Sequence, residues 1–145
     1  MPITNRDIYN NALSLIGETL ESNYLEDYEE RAPYIIASVA SQTKAIDKRI
    51  RLAEGLESAA SFSPVFLSLD LDFPLCDQLT CPAALYLASL LVIDEDPDLS
   101  DNLYDKYCDT VSSLQTAYTD TDTSSSNNSG GSAVCESIAE RYFFD

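Results

Sequence analysis

The amino-acid sequence predicts a mainly α-helical fold, a bundle of about four helices with one short strand or hairpin. In the first, second and fourth predicted helices, apolar residues recur at intervals of three or four, which is the spacing of one helix face. The third is apolar on every face in its second half, which is typical of a helix surrounded by others. With 145 residues, 45% of them apolar, the chain suits a single domain.

The first two helices are predicted from their end signals and apolar faces. In residues 4–16, Thr4 is a suitable N-cap with Asp7 three residues later, and Gly17 can end the helix. After a loop at 18–23, a second helix is expected over residues 27–53. Acidic residues near its start suit the positive end of the helix dipole. Pro33 either belongs to a first turn or kinks a longer helix.

The second half of the core contains one strand candidate and a helical hairpin. Residues 67–73 alternate apolar and polar side chains, which is the pattern of a strand. A central helix is predicted over residues 76–93. Asp96 as N-cap and Pro97 as first residue then predict the start of the fourth helix. The short turn between the last two helices favours an antiparallel pair.

The chain is predicted to divide into three parts. Residues 1–118 form the helical core. Residues 119–132 contain no apolar side chain and are expected to be a flexible linker, with a root-mean-square reach of about 20 Å. Residues 133–145 are apolar again, and we expect them to dock on another subunit or a partner, or back on their own core. The candidate partner-binding residues are Val134, Ile138, Tyr142, Phe143 and Phe144.

The composition argues against several classes of function. Acidic residues outnumber basic ones 25 to 8, which gives a formal charge of −17, and such a surface repels nucleic acids and anionic lipids. Because the chain has no His, it cannot form a nucleophile–His pair, and no glycine-rich phosphate-binding loop occurs. We therefore expect neither an enzyme nor a cofactor.

The cysteines and the chain start are uninformative about chemistry. The four cysteines form no CxxC pair, so we expect no metal site and interpret Cys76, Cys81 and Cys108 as small, semi-buried apolar residues. The N-terminus has no signal-peptide pattern. The apolar run over residues 82–93 has 12 residues, against about 20 for a membrane helix. We therefore expect no membrane partner.

The charges are distributed unevenly along the chain. Residues 1–60 have a net charge of −4, whereas residues 61–145 have a net charge of −13. If basic and acidic clusters lie on different sides of the molecule, they favour head-to-tail contacts that can close a ring. The alternative is helix-dipole complementation on a solvated face. The candidate subunit-interface residues are Lys44, Lys48, Arg49, Arg51, Asp94, Glu95, Asp98 and Asp101.

Several segments resemble the head–tail connector (adaptor) proteins of tailed bacteriophages. Residues 11–18 (NALSLIGE) are similar to the opening helix of that family, and residues 27–36 (DYEERAPYII) also resemble it. The resemblance continues with Phe-Pro-Leu at residues 73–75, the helix over residues 83–94 and residues 100–108 (SDNLYDKYC).

The resemblance implies a helical structural protein of the virion. Family members form a ring, typically of twelve subunits, between the portal protein and a tail or neck protein such as a tail terminator or stopper. DNA passes through the lumen without specific binding. The expected location is the virion neck, after synthesis in the host cytoplasm. The alternative function is a small acidic binding or inhibitor module that mimics nucleic acid.

Overall fold

The structure, a computed structural model, describes residues 2–17 and 22–119 and is mainly α-helical, as the sequence predicts. Within these residues there are four α-helices and no sheet. The helices are α1 (Asn5–Ile16), α2 (Ser22–Glu54), α3 (Thr80–Leu91) and α4 (Pro97–Ala117), and a short 3-10 helix (Asp77–Leu79) precedes α3.

Helix α3 is the centre of the bundle. Every residue from Pro82 to Ser89 is buried, and so is Leu91. Helices α1, α2 and α4 all pack against α3. The prediction of a central helix is confirmed, and its start is one turn later than expected, because Asp77–Leu79 forms the 3-10 turn. Pro82 lies in the first turn of α3, where its missing N–H removes no helical hydrogen bond.

Helix α2 runs antiparallel to α3. At one end of the pair, the hydroxyl of Tyr28 donates a hydrogen bond to Glu95, just after α3, at 2.6 Å. At the other end, the backbone N–H of Cys76, just before α3, donates to Asp47 at 2.8 Å. Midway, the Gln42 amide donates to the hydroxyl of Tyr86 at 3.0 Å.

Helix α4 forms the predicted antiparallel hairpin with α3. The Ser100 hydroxyl donates to the Ser89 carbonyl at 2.7 Å, and the rings of Tyr86 and Tyr107 lie 5.1 Å apart. The start of α4 is as predicted: Pro97 is its first residue, and the N-cap carboxylate accepts a hydrogen bond from Leu99 N. Because both neighbours are antiparallel to α3, α2 and α4 run in the same direction.

The start of α2 differs from the sequence expectation. The helix begins at Ser22, inside the expected loop, and Pro33 lies in its interior. The acidic residues expected in the first turn therefore lie at least one turn further along. Packing explains the difference, because Tyr28 and Ala32 are fully buried before the proline and Ile36 after it. Burial of this face offsets the one hydrogen bond that proline cannot make.

The strand predicted over residues 67–73 is wrong, since only an isolated bridge between Thr4 and Asp72 is present in the described residues. The segment instead pairs with the beginning of α1. The backbone N–H groups of Asn5 and Arg6 donate to the carbonyls of Leu71 and Leu69 at 2.9 and 3.0 Å. The first N–H groups of a helix have no partner within the helix. The carbonyls of this segment supply those partners. The segment itself turns at residues 68–71, where the Leu71 N–H donates to the Ser68 carbonyl at 3.1 Å, so it does not run as a strand.

The capping signals of α1 are confirmed. The Thr4 hydroxyl accepts from the Asp7 N–H, while the Asp7 carboxylate accepts from the Thr4 N–H. Gly17 ends the helix with φ of 85°, a conformation that residues with a Cβ rarely adopt. These short-range contacts fix the two ends of α1.

A buried carboxylate attaches the loop segment to α2. Asp47 is 2% exposed and accepts hydrogen bonds from Arg51 at 2.9 Å and from Cys76 N at 2.8 Å. The Arg51 guanidinium also donates to the carbonyls of Glu57 and Pro74. The pair thus connects α2 to both ends of the segment that precedes α3.

Replacing Asp47 should destabilise the fold strongly. Asp47→Ala leaves the Arg51 guanidinium without its buried counter-ion, and we expect a loss of about 3 kcal/mol in the free energy of unfolding. Urea unfolding followed by circular dichroism measures it. The matched control is Asp27→Ala, which removes an exposed i,i+4 pair with Arg31 and should cost under about 1 kcal/mol. Equal losses for both variants would contradict this role of Asp47.

Candidate interaction surfaces

An acidic surface covers the end of the bundle at the turn between α3 and α4. Asp94, Glu95, Asp98 and Asp101 are all exposed there, and we call this set the acidic end. Its carboxylates extend from the turn into the first turns of α4, where negative charge is favourable beside the helix N-terminus. The hydrogen bond from the Tyr28 hydroxyl attaches one of them to α2. The sequence-predicted acidic candidates therefore lie together.

Three of the predicted basic candidates are exposed on the second half of α2. Lys44, Lys48 and Arg49 form what we call the cationic stripe, and the Lys44 ammonium lies 5.7 Å from the centre of the Phe62 ring. Arg51 differs, because its side chain is only 20% exposed and pairs with Asp47 inside the molecule. It supports the fold and offers little surface to a second subunit.

The acidic end and the cationic stripe lie at opposite ends of the bundle. Tyr28 of α2 contacts the acidic end, and Lys48 follows 20 residues later on the same helix. At 1.5 Å per residue, the two surfaces are about 30 Å apart along the axis. One molecule therefore cannot bring its own two surfaces into contact, whereas two molecules arranged head to tail can.

Helix α4 presents a row of carboxylates to solvent. Asp98, Asp101, Asp105 and Asp109 are exposed and follow one another at intervals of three, four and four residues. This spacing places them on one helix face. The row, which we call the carboxylate row, extends the acidic end along about 16 Å of helix.

An apolar groove lies between α2 and the end of α3. It has a volume of about 440 Å³ and is lined by Arg31, Tyr34, Ile35, Leu90 and Ile93. The Arg31 guanidinium bridges the two helices, since it donates to the Leu90 carbonyl at 2.9 Å and pairs with an aspartate of α2. Among the described residues, Arg31 is the one charged side chain that lines the groove.

Exposed aromatic residues continue the apolar surface beyond the groove. Tyr34 is 56% exposed and Phe66 44% exposed, and their rings meet edge to face at 5.0 Å. Val65 beside them is 64% exposed. Sequence reasoning missed this surface, because the helical spacing of Tyr34 does not tell whether another element covers it.

The C-terminal candidates lie outside the described residues. These are Val134, Ile138, Tyr142, Phe143 and Phe144. The predicted linker also lies outside the described residues, except for Thr119. The last described residues are at the end of α4, where the Tyr118 hydroxyl donates to Glu54 at 3.4 Å. The chain therefore leaves the bundle beside the C-terminal end of α2, next to the cationic stripe.

The described residues contain no cluster of three or more His, Cys, Asp or Glu side chains that could hold a metal ion. Of the three cysteines expected to be semi-buried, Cys108 is half-buried and Cys76 is buried, whereas the expectation is wrong for Cys81, which is exposed. None of the helices in residues 2–17 and 22–119 has both the length and the apolarity that a bilayer crossing requires.

Burial raises the pKa of Tyr9, and it also shifts the acidity of two further groups, Cys76 and Tyr28, near the ends of α3. Burial, followed by the neighbouring Asp47 carboxylate, raises the pKa of the Cys76 thiol from 9.0 to about 12. Burial and the hydrogen bond to Glu95 raise the pKa of the Tyr28 phenol above its usual 10.0. In both cases the folded state favours the neutral form. Both groups lie where α2 meets the residues that flank α3.

We expect the protein to lose stability at alkaline pH. A pKa that folding raises contributes stability below the unfolded value, and this contribution is lost as the pH rises above about 10 for Tyr28 and from 9 towards 12 for Cys76. Tyr28→Phe should therefore be less stable than wild type at pH 7 but show a shallower alkaline decline. Urea unfolding from pH 7 to 11 tests this. Tyr34→Phe, at an exposed tyrosine, should keep the wild-type slope, and an unchanged slope in Tyr28→Phe would contradict the assignment.

Compared with known protein families, with curated proteins and with solved structures, the chain matches none.

Proposed function

We propose that this protein is a structural subunit that forms a ring between a bacteriophage portal and the tail. The observation that carries this proposal is the separation of the acidic end from the cationic stripe by about 30 Å. The segments that resemble head–tail connectors support the identity of the two neighbours. The resemblance also underlies the expected ring of about twelve subunits, the virion neck as location, and a tail terminator or stopper as the second partner.

Charge separation favours contacts between unlike surfaces. In a head-to-tail arrangement, Lys48 and Arg49 of one subunit face Asp98 and Asp101 of the next. In a row of subunits joined by such heterologous contacts, the first subunit keeps one unoccupied surface and the last subunit keeps the other. The row closes into a ring when the rotation from one subunit to the next divides a full turn. Opposite charges across the contact speed association and exclude the wrong register.

An acidic wall suits a conduit for DNA. The carboxylate row offers negative charge along α4, and phosphates gain no attraction from such a surface. DNA would therefore slide past without binding specifically. We expect the channel-facing side chains of the assembled ring to be mainly acidic or neutral, and a wall made mainly of Lys and Arg would contradict this part of the proposal.

A second candidate function is a nucleic-acid mimic that binds a basic protein. The carboxylate row is the observation that favours it, since regularly spaced negative charges imitate a phosphate backbone. A mimic would act as a monomer or dimer, and its affinity would fall steeply with salt. It would not need the cationic stripe, which the ring uses directly.

Charge reversal tests the head-to-tail contact. We expect Lys48→Glu with Arg49→Glu, or Asp98→Lys with Asp101→Lys, to reduce the number of subunits bound per portal ring, because like charges then face one another. Native mass spectrometry of the complex with purified portal rings from the same phage measures this number.

The matched control carries all four substitutions in one chain. In a head-to-tail ring, every contact then has its charges exchanged and is complementary again, so assembly should recover. Recovery would not occur if the two surfaces bind different partners. Normal assembly of both double variants, or no recovery in the fourfold variant, would contradict the proposal.

Truncation tests the role of the C-terminal segment. A chain that ends at Ser132 lacks the partner-binding candidates Val134, Ile138 and Tyr142, and we expect it to keep its circular dichroism spectrum but to assemble poorly on portal rings. The matched control retains the length and changes only Ser137→Ala, a polar position of the same segment. Unchanged assembly of the truncated chain would refute this role.

A further inference from the structure

We propose that the apolar groove between α2 and α3 of one subunit receives residues 133–145 of the neighbouring copy of this chain. This inference rests on the proposed head-to-tail ring and names the contact that secures it.

The groove and the segment match in chemistry. Four of the five lining side chains are apolar or aromatic, and the groove opens beside the exposed rings of Tyr34 and Phe66. In the segment, Val134, Ile138 and Tyr142 follow at intervals of four, the spacing that would give a helix one apolar face. An apolar helix face binding in a groove is a common mode of peptide recognition.

The position of the groove favours a second copy over the segment's own subunit. The chain leaves the bundle at Tyr118, beside Glu54, whereas the groove contains Ile35, 19 residues earlier on α2. That separation is about 28 Å along the helix axis. From the composition of residues 119–132 we expect a root-mean-square reach of about 20 Å, which is shorter than this separation, so a groove that lies nearer to the exit is favoured.

A head-to-tail contact brings the exit of one chain close to the groove of the next subunit. The groove lies at the acidic end, next to Asp94 and Glu95, and the exit of the chain lies at the end that carries the cationic stripe. When the cationic stripe of one subunit meets the acidic end of the next, the exit of the first lies near the groove of the second. The linker then needs no extension, and its tether raises the effective concentration of the segment at that groove.

The charges of the segment agree with this placement. Arg141 is its one basic residue and directly precedes Tyr142. Because Ile93, which lines the groove, directly precedes Asp94, a segment bound there would bring this guanidinium to the acidic end. The remaining charges of the segment are acidic, so an isolated segment would bind weakly to so acidic a bundle, and the contact would depend on the ring that brings the parts together.

Photo-crosslinking of the full chain tests the proposal. Tyr142 is replaced by p-benzoylphenylalanine, isotopically heavy and light chains are mixed, and the mixture is irradiated both alone at increasing concentration and on portal rings. Mass spectrometry of the digested product identifies the crosslinked peptides. We expect heavy–light pairs that join residue 142 to the groove peptides around residues 31–35 or 90–93. Pairs confined to one isotope would show docking on the same subunit and overturn the proposal, as would adducts outside the groove or no adduct under any condition.

Two exposed positions on α2 provide matched variants. Tyr34→Ala removes a wall of the groove and should lower the yield of heavy–light adducts several-fold. Leu52→Ala removes a side chain that is even more exposed, at 72%, but lies outside the groove, and it should leave the yield unchanged. Equal effects of the two substitutions would contradict the assignment.

The outcome separates this inference from the proposed function. If rings assemble on the portal while residue 142 crosslinks to the portal protein, the ring stands and the groove inference fails. If heavy–light groove adducts form between chains in solution that do not bind portal rings, the groove inference stands and the connector function fails.

Discussion

The enclosure of α3 is the constraint on which the rest of the structure depends. A helix that is apolar on every face is stable in water only when other elements cover it, and α1, α2 and α4 pack around α3. The short turn into α4 makes that helix antiparallel to α3, and the long α2 packs antiparallel on another side. Because α2 and α4 then share one direction, the beginning of α4 lies beside the first half of α2. This arrangement places the acidic end and the cationic stripe at opposite ends of the molecule.

Polar contacts complete the enclosure where helices end. The segment over residues 67–73 supplies carbonyls to the first N–H groups of α1, and the buried Asn5 amide donates to the Ser68 carbonyl at 2.9 Å. Asp47 and Arg51 satisfy backbone groups at both ends of the segment before α3. These buried groups would be costly without partners, so their pairing fixes the path of a segment that contains little regular structure of its own.

Local signals in the sequence were sufficient for some elements and insufficient for others. The cap at Asp96 and the central position of α3 were predictable, since each follows from neighbouring residues or from composition. The interior position of Pro33 and the pairing of residues 67–73 with α1 were not, because each depends on packing between distant parts of the chain. Clusters of charge on the surface could likewise be predicted from the sequence. The pairing of Arg51 with the buried Asp47 and the groove beside Tyr34 could not, because both depend on how the helices pack.

We propose that the two oppositely charged ends of this bundle are contact surfaces between identical subunits. Electron cryomicroscopy of the neck of the phage particles in which we propose that this chain assembles would show those contacts. We predict a ring of 16.0 kDa subunits directly below the portal, with α2 of each subunit facing the start of α4 in the next. A neck without such a ring, in particles whose copies of this chain are single subunits bound to a basic protein, would contradict the claim.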